Sequence, residues 1–481
     1  MEHVSAGPRQ SAAAKHPDHG PLRPKNLAGH GPHILCYKPF FNYRPLAEKG
    51  YGPMHSQTVE LLAPAGNLEK LKTAIHYGAD AVYISGKAHS LRSHAGNFTT
   101  EEMRRAVRLA REKAVRVYVA VNAFLRPREM DAAAGFLREL KQIGPDAVII
   151  ADPGVLLLAR ELIPEIPVHL STQANTMNHY SVRLWRSLGV TRINAARELS
   201  LSEIRAISEA GPVEVEAFVH GAMCIAYSGR CLLSSYMAQR HSNSGECAHP
   251  CRWRYAVVEE LRPGKYMPVE EDGSGSYIFN SKDLCMVSHL PQMLAAGVSA
   301  LKIEGRQKGL GYLAAVVYAY RSAIDACCQS PQHYRAKSRW IQELAQVSPR
   351  PLSTGFYVNA PAGVAPDLEN SGTTEGRRLA GLITGCPDSR HISVELRNKI
   401  RTGDTLDILS REKGPGLRTV IDMRDPAGVF LETAQAGTEV LISCDRLHHG
   451  QAGDIVRTMP SQGLPKNRQK TATTGTDDGN S

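Results

Sequence analysis

A chain of 481 residues exceeds one ordinary core, and at roughly 100–200 residues per domain it should divide into two or three. Its 42% hydrophobic and 22% charged content is ordinary globular composition. No run approaches the roughly 20 apolar residues of a membrane span, and the first 35 residues lack the apolar centre of a secretory signal, so a cytoplasmic protein with no membrane partner is expected. A net charge of +10 favours an anionic partner, because Lys and Arg neutralise phosphates and release their counterions.

Residues 1–56 are rich in Gly, Pro, His and Ala without an apolar period, and read as a disordered extension. From Val59 the texture changes, and residues 57–328 read as a catalytic barrel. Val59 to Leu62 makes a strand, followed by a loop and a helical pattern through Ile75. A unit then recurs in which a helix-ending Gly precedes a short apolar strand: Gly78 to Ile84, Gly144 to Ile150, Gly189 to Asn194 and Gly297 to Ile303. Gly suits the left-handed position just past a helix, and continuous apolar strands suit a sheet buried on both faces. With Val115–Val121, Val168–Leu170 and Val213–Val219 these give eight strands alternating with helices, the pattern of a TIM-like (β/α)8 barrel, with a doubly wound open sheet as the alternative.

Between the seventh and eighth strands a long cysteine-rich insert replaces the expected helix, and it carries Cys224, Cys231, Cys247 and Cys251 within 28 residues. Ten cysteines in a chain without an export signal should stay largely reduced, so a cluster of four points to metal chemistry. Four converging thiolates hold a tetrahedral zinc or a 4Fe-4S cluster, and spacing alone does not choose between them. Cys285 is a fifth candidate, either a ligand replacing one of the four or a core thiol behind the rim. Arg252-Trp253-Arg254-Tyr255 follows the thiols and can either contact phosphates while stacking a base or pack over the metal site.

Other candidates stand at the ends of barrel strands, where barrel enzymes place their chemistry. Lys302 and Arg306, flanking Glu304, are positioned to bind the carboxylates of an anionic cosubstrate, or Lys302 closes the barrel through a buried Lys–Glu pair. Gln173, Asn194, Arg197 and Glu198 end other strands, and Asn122 follows the third. A thiolate–histidine peptidase built from Cys224 with His220 or His249 is the competing chemistry, although four cysteines exceed its needs.

Residues 329–370 read as a polar, partly helical connector. Residues 371–458 carry short strands at Leu379–Thr384, His391–Leu396, Thr405–Leu409, Thr419–Met423 and Glu439–Ile442, the spacing of a small antiparallel β-barrel. Residues 459–481 read as a disordered polar tail.

The segment Glu216-Ala-Phe-Val-His-Gly-Ala-Met-Cys-Ile-Ala-Tyr-Ser-Gly-Arg-Cys-Leu-Leu-Ser234 resembles the signature of the peptidase U-thirty-two (collagenase-like) family. Further matches are Glu60-Leu-Leu-Ala-Pro-Ala-Gly66, Ser171-Thr-Gln-Ala-Asn175, Arg197-Glu-Leu-Ser200, Asn280-Ser-Lys-Asp-Leu-Cys285 and Lys302-Ile-Glu-Gly-Arg306. Within the family the resemblance is greatest to bacterial tRNA uridine hydroxylases, which use prephenate to form 5-hydroxyuridine at the wobble position. It implies a 4Fe-4S cluster on Cys224, Cys231, Cys247 and Cys251, prephenate as cosubstrate and oxygen-independent hydroxylation. It also implies the tRNA anticodon loop as partner and cluster-assembly proteins as suppliers. Ribosomal RNA and a quinone ring stay open as substrates, because relatives in the family act on them.

Overall fold

A computed structural model describes residues 59–87, 97–211, 213–223 and 233–238, four short strands between 257 and 277, and residues 282–348, 350–358, 377–446 and 449–459. The described residues belong to one compact unit spanning 57–481. Eight parallel strands close on themselves in chain order: β1 Glu60–Pro64, β2 Ala81–Ser85, β3 Arg116–Val121, β4 Ala147–Ile150, β5 Val168–Leu170, β6 Val190–Asn194, β7 Glu214–Ala222 and β8 Val298–Ile303. β8 pairs with β1 at Leu62↔Lys302 and with β7 at Lys302↔Phe218, which completes a (β/α)8 barrel of the TIM type.

The helices start where the sequence offers caps. Asn67 accepts from the Lys70 amide at the start of α1 (Leu68–His76), and Thr99 and Ser200 each form a capping box with the Glu three residues on. Past α3 (Met130–Ile143), Gly144 takes φ 68°, the left-handed turn that lets β4 begin at once.

Alternation along each strand sorts the side chains. Leu61, Ala63, Val82, Ile84, Val117 and Val119 face the helices in the larger apolar layer, whereas Leu62, Tyr83, Tyr118, Ala120 and Ile149 fill the barrel interior. The interior floor is ionic. Glu60 receives Arg192 at 2.6 Å and the Tyr118 hydroxyl at 2.7 Å, while Glu216 receives Lys302 at 2.6 Å and has Arg192 at 3.7 Å. Burial alone would lower the Arg192 pKa, but the carboxylates of Glu60 and Glu216 outweigh it and hold the guanidinium charged.

The insert after β7 contains the helix Leu233–Ala238 and two small antiparallel pairs, Val257–Val258 with Tyr266–Met267 and Glu270–Asp272 with Gly275–Tyr277. It does not replace the expected helix. A short helix, Leu290–Ala295, still precedes β8, and the strand Asp283–Cys285 lies antiparallel on β7 before it. The long helix Leu310–Gln329 follows β8, packs against β1 and α1, and is followed by the helix Ser338–Val347.

The smaller domain is a closed six-stranded antiparallel barrel of β9 (Arg378–Gly385), β10 (His391–Leu396), β11 (Thr405–Ser410), β12 (Gly414–Arg424), β13 (Glu439–Cys444) and β14 (Ile455–Thr458), in the order β9-β10-β13-β12-β11-β14. The sixth strand was not evident in the sequence because Arg457 interrupts its apolar run. In the fold, Arg457 is buried and pairs with Asp407 and with Glu343 of the helix Ser338–Val347, 2.7 Å away, where Arg377 also binds Glu343 and Asp407. The Tyr77 hydroxyl, just past α1, donates to the Leu409 carbonyl at 2.7 Å and accepts from the Ile455 amide at 2.9 Å, so the two barrels are fastened through buried polar groups.

Candidate active site

Strand alternation fixes what faces the barrel mouth. On β6, Arg192 points inward to Glu60, so Asn194, two residues on, also points inward and is buried. On β3, Tyr118 points inward, and Asn122 follows it at twice that interval. After β5 the chain makes a 3-10 turn over Thr172–Ala174 and then places Asn175 at φ 51°, a left-handed conformation that is strained for a residue other than glycine. This turn carries Gln173. The Thr172 hydroxyl donates to the Ala195 carbonyl at 3.2 Å, which ties the Gln173 turn to the end of β6 beside Asn194. The side-chain oxygens of Asn122, Gln173 and Asn194 and one oxygen of Glu198 are buried, and none has a hydrogen-bond partner. Burial raises the Glu198 pKa, favouring its protonated form.

The opposite wall is charged. Lys302 is buried against Glu216 and lies 4.7 Å from the Tyr83 ring centre and 5.5 Å from that of Phe218. Arg306, beyond β8, reaches the Ser85 hydroxyl at the end of β2, and its carbonyl accepts from Lys70 at 3.3 Å. Arg197 spans the rim between these walls. It donates to the Ala222 carbonyl at 2.9 Å and to the Glu304 carboxylate at 3.2 Å, with its guanidinium carbon 3.9 Å from the centre of the Phe218 ring. The Glu304 amide in turn donates to the His220 carbonyl at 2.9 Å. Gly221 is required at this crossing: its φ is 105°, and a Cβ would lie 2.5 Å from the Glu304 carbonyl oxygen. The structure therefore brings Lys302, Glu304, Arg306 and Arg197 together along β6–β8 and sets Gln173 on the facing side.

A barrel whose strand ends carry this many polar groups matches a known family. The model of peptidase family U32 matches residues 66–364. The chain belongs to this family. Among its U32 relatives, a Bacillus subtilis protein named tRNA hydroxylation protein P1 is 37% identical over 384 residues, covering 79% of this chain and 90% of the relative. A Porphyromonas gingivalis relative named collagenase is 32% identical, with 68% of this chain and 80% of that one covered. An Escherichia coli relative named as a 23S rRNA 5-hydroxycytidine synthase is 31% identical over 76% of this chain and 54% of its own length.

The U32 signature begins on β7 and runs into the insert. Cys224, Cys231, Cys247, Cys251 and Arg252-Trp253-Arg254-Tyr255 lie outside the described residues, as does His249. Among the described residues, no three His, Cys, Asp or Glu side chains converge on a metal site, and no helix is long and apolar enough to cross a membrane. Cys285 is described: it is the register partner of His220, four residues ahead of Cys224, and its sulfur lies 3.8 Å from the Tyr320 hydroxyl. Burial pushes its thiol pKa up. His220 is fully buried beside Tyr312 and Tyr320; neither ring nitrogen has a hydrogen-bond partner, and burial lowers its pKa to about 3. Cys327 and Cys444 are core thiols, and Cys328 and Cys386 are exposed. Sequence reasoning missed Glu216 and Ser85, although Glu216, the second of two acids inside the apolar run Val213–Val219, was a signal that something within the barrel must pair with it.

Proposed function

We propose that this chain is an iron–sulfur RNA hydroxylase that forms 5-hydroxyuridine at the tRNA wobble position, dependent on prephenate and independent of oxygen. The observation that carries the reading is the near full-length similarity to a tRNA hydroxylation protein. The rRNA 5-hydroxycytidine synthase among the relatives supports hydroxylation at a pyrimidine as the common chemistry. The cluster ligands proposed are Cys224, Cys231, Cys247 and Cys251, with Cys285 as the alternative fourth thiolate, because its strand lies alongside the β7 segment that leads into the insert. A 4Fe-4S cluster held there would supply the redox centre of the hydroxylation. The chain's own residues would bind and orient: Arg306 is suited to clamp a carboxylate of the cosubstrate, and Arg197 and Glu304 hold the exit of β7 in place. A wobble base already lies in a single-stranded loop, so presenting it to the mouth costs little.

The collagenase relative favours a second reading, a cysteine peptidase. Against it, four cysteines in one insert exceed what a thiolate–histidine pair needs, and His220 is fully buried with neither ring nitrogen hydrogen-bonded. Nucleoside mass spectrometry of RNA from a deletion strain tests the proposal. The expected result is tRNA wobble uridine lacking one oxygen atom. Unchanged tRNA, with loss of a hydroxylated ribosomal base or quinone intermediate, would overturn the substrate. Anaerobically purified protein without iron would overturn the cluster.

A further inference from the structure

We infer that the wall of the mouth formed by the ends of β3, β5 and β6 is a cradle for the edge of an RNA pyrimidine, built from the carboxamides of Asn122, Gln173 and Asn194. The inference rests on the RNA-hydroxylase reading and adds which face of the site reads the base. Three carboxamide oxygens are buried there with no protein partner, which leaves them to be satisfied by a bound ligand or by water that a ligand displaces. None of the three residues carries a charge. The charged groups sit across the mouth, with Arg306 and Ser85 at the ends of β8 and β2 and the Lys302–Glu216 pair beneath them. In the strand order β5 and β6 lie across the barrel from the β8–β1–β2 seam, and β3, paired with β2, borders it. The mouth is thus divided into an ionic wall and a wall of carboxamides, where burial favours the protonated form of Glu198.

The chemistry of a nucleobase fits the carboxamide wall. Uracil presents two carbonyl oxygens on either side of an N–H, and cytosine presents an amino group, a ring nitrogen and a carbonyl. A carboxamide offers a donor and an acceptor side by side and pairs with either edge according to how it is turned. The cradle is also rigid. The left-handed Asn175 donates its side-chain amide to the Gln173 carbonyl at 3.0 Å, and the Thr172 hydroxyl fastens the same turn to Ala195, next to Asn194.

The test uses the full chain and fluorescent stem-loop RNAs that carry a uridine, a cytidine or an abasic site at one loop position, with binding read by anisotropy at fixed salt. The wild type should bind the uridine loop about tenfold or more tightly than the abasic loop, the discrimination that one bidentate base contact supplies. Asn194→Ala and Gln173→Ala should each reduce uridine binding toward the abasic level while leaving abasic binding unchanged. Asn194→Asp, which can only accept, should favour cytidine over uridine. Equal wild-type affinity for uridine and abasic loops, or an equal loss across all three RNAs in the variants, would overturn the cradle. Gln173 sits on the turn after β5 and not within a barrel strand, so its variant keeps the test valid if Asn194 variants misfold. Mass spectrometry of the same RNAs after turnover separates the two ideas: base discrimination without hydroxylation removes the hydroxylase reading and leaves the cradle, and hydroxylation without discrimination does the reverse.

Discussion

Lys302→Met tests whether the cation at the end of β8 serves the fold or a ligand. Its ammonium sits 2.6 Å from the Glu216 carboxylate, with side-chain exposures of 6% and 2%, so both charges are buried. Removing one partner of a buried pair costs about 3–5 kcal/mol, because the other charge is left without compensation. Here Arg192 remains 3.7 Å from the second Glu216 oxygen and recovers part of the loss, which puts the expected cost near the lower end, about 3 kcal/mol. Glu216→Leu alone should be at least as damaging, since Arg192 would keep only Glu60 and Glu214 and Lys302 would be left buried. The double variant should recover much of the single losses, a coupling readable from a double-mutant cycle in urea. Affinity for a dicarboxylate cosubstrate should change little per folded molecule, because the Lys302 charge is already neutralised. A Lys302→Met protein of wild-type stability that has lost anion binding would refute this reasoning and make Lys302 a ligand-facing cation.

Anaerobic iron analysis should show Cys224→Ala, Cys231→Ala, Cys247→Ala and Cys251→Ala each losing most bound iron, with Cys285→Ala retaining more; iron loss in Cys285→Ala with retention in Cys251→Ala would move the fourth ligand to the strand on β7. For His220 the folded pKa of about 3 lies below the ordinary value near 6.5, so the unfolded chain binds the proton first. Its contribution to stability is complete above about pH 6.5 and falls with pH below it, by about 2 kcal/mol at pH 5, and His220→Phe should flatten the stability profile there by that amount. His169, whose pKa is also lowered, chiefly by burial, keeps some pH dependence in that variant, and an unaltered slope would show that His220 is hydrated. Tyr77→Phe should cost about 1–3 kcal/mol by leaving the Leu409 carbonyl and the Ile455 amide unpaired, and hydrogen exchange at Ile455 should quicken; unchanged protection there would mean that the small barrel holds without this contact.

The barrel strands were legible because burial on both faces writes a continuous apolar run, and a left-handed Gly closes the helix before it: Gly144 before Ala147–Ile150 and Gly297 before Val298–Ile303. Arg457 shows where that reading fails. A buried arginine looks like a surface residue until its acids are known, and those acids, Asp407 and Glu343, come from another strand and from the helix Ser338–Val347. The same holds for the barrel floor, where Glu60 and Arg192 are 132 residues apart and meet only when β8 closes on β1. At the rim the candidate positions were legible from their place at strand ends. Their grouping was not: the division between carboxamides on β3–β6 and charges on β8–β2 follows from strand order around a closed barrel, and a linear pattern carries no such angle.

Arg197 shows how the two walls and the insert act together. A side chain placed after β6 holds the last carbonyl of β7 and the carboxylate that follows β8, while the Glu304 amide grips β7 again at His220. Three neighbouring strands are therefore locked two residues before Cys224. Asn194 sits three residues ahead of Arg197 on the same strand end, so the carboxamide wall and the start of the thiol-bearing insert are fixed to one another through a single guanidinium. Charge-assisted contacts of this kind are short and directional, and replacing Arg with Lys would lose the fork that reaches both partners. A barrel mouth that positions reacting groups needs its strand ends held in register. In this fold Arg197 supplies that register by tying the ends of β6, β7 and β8 together.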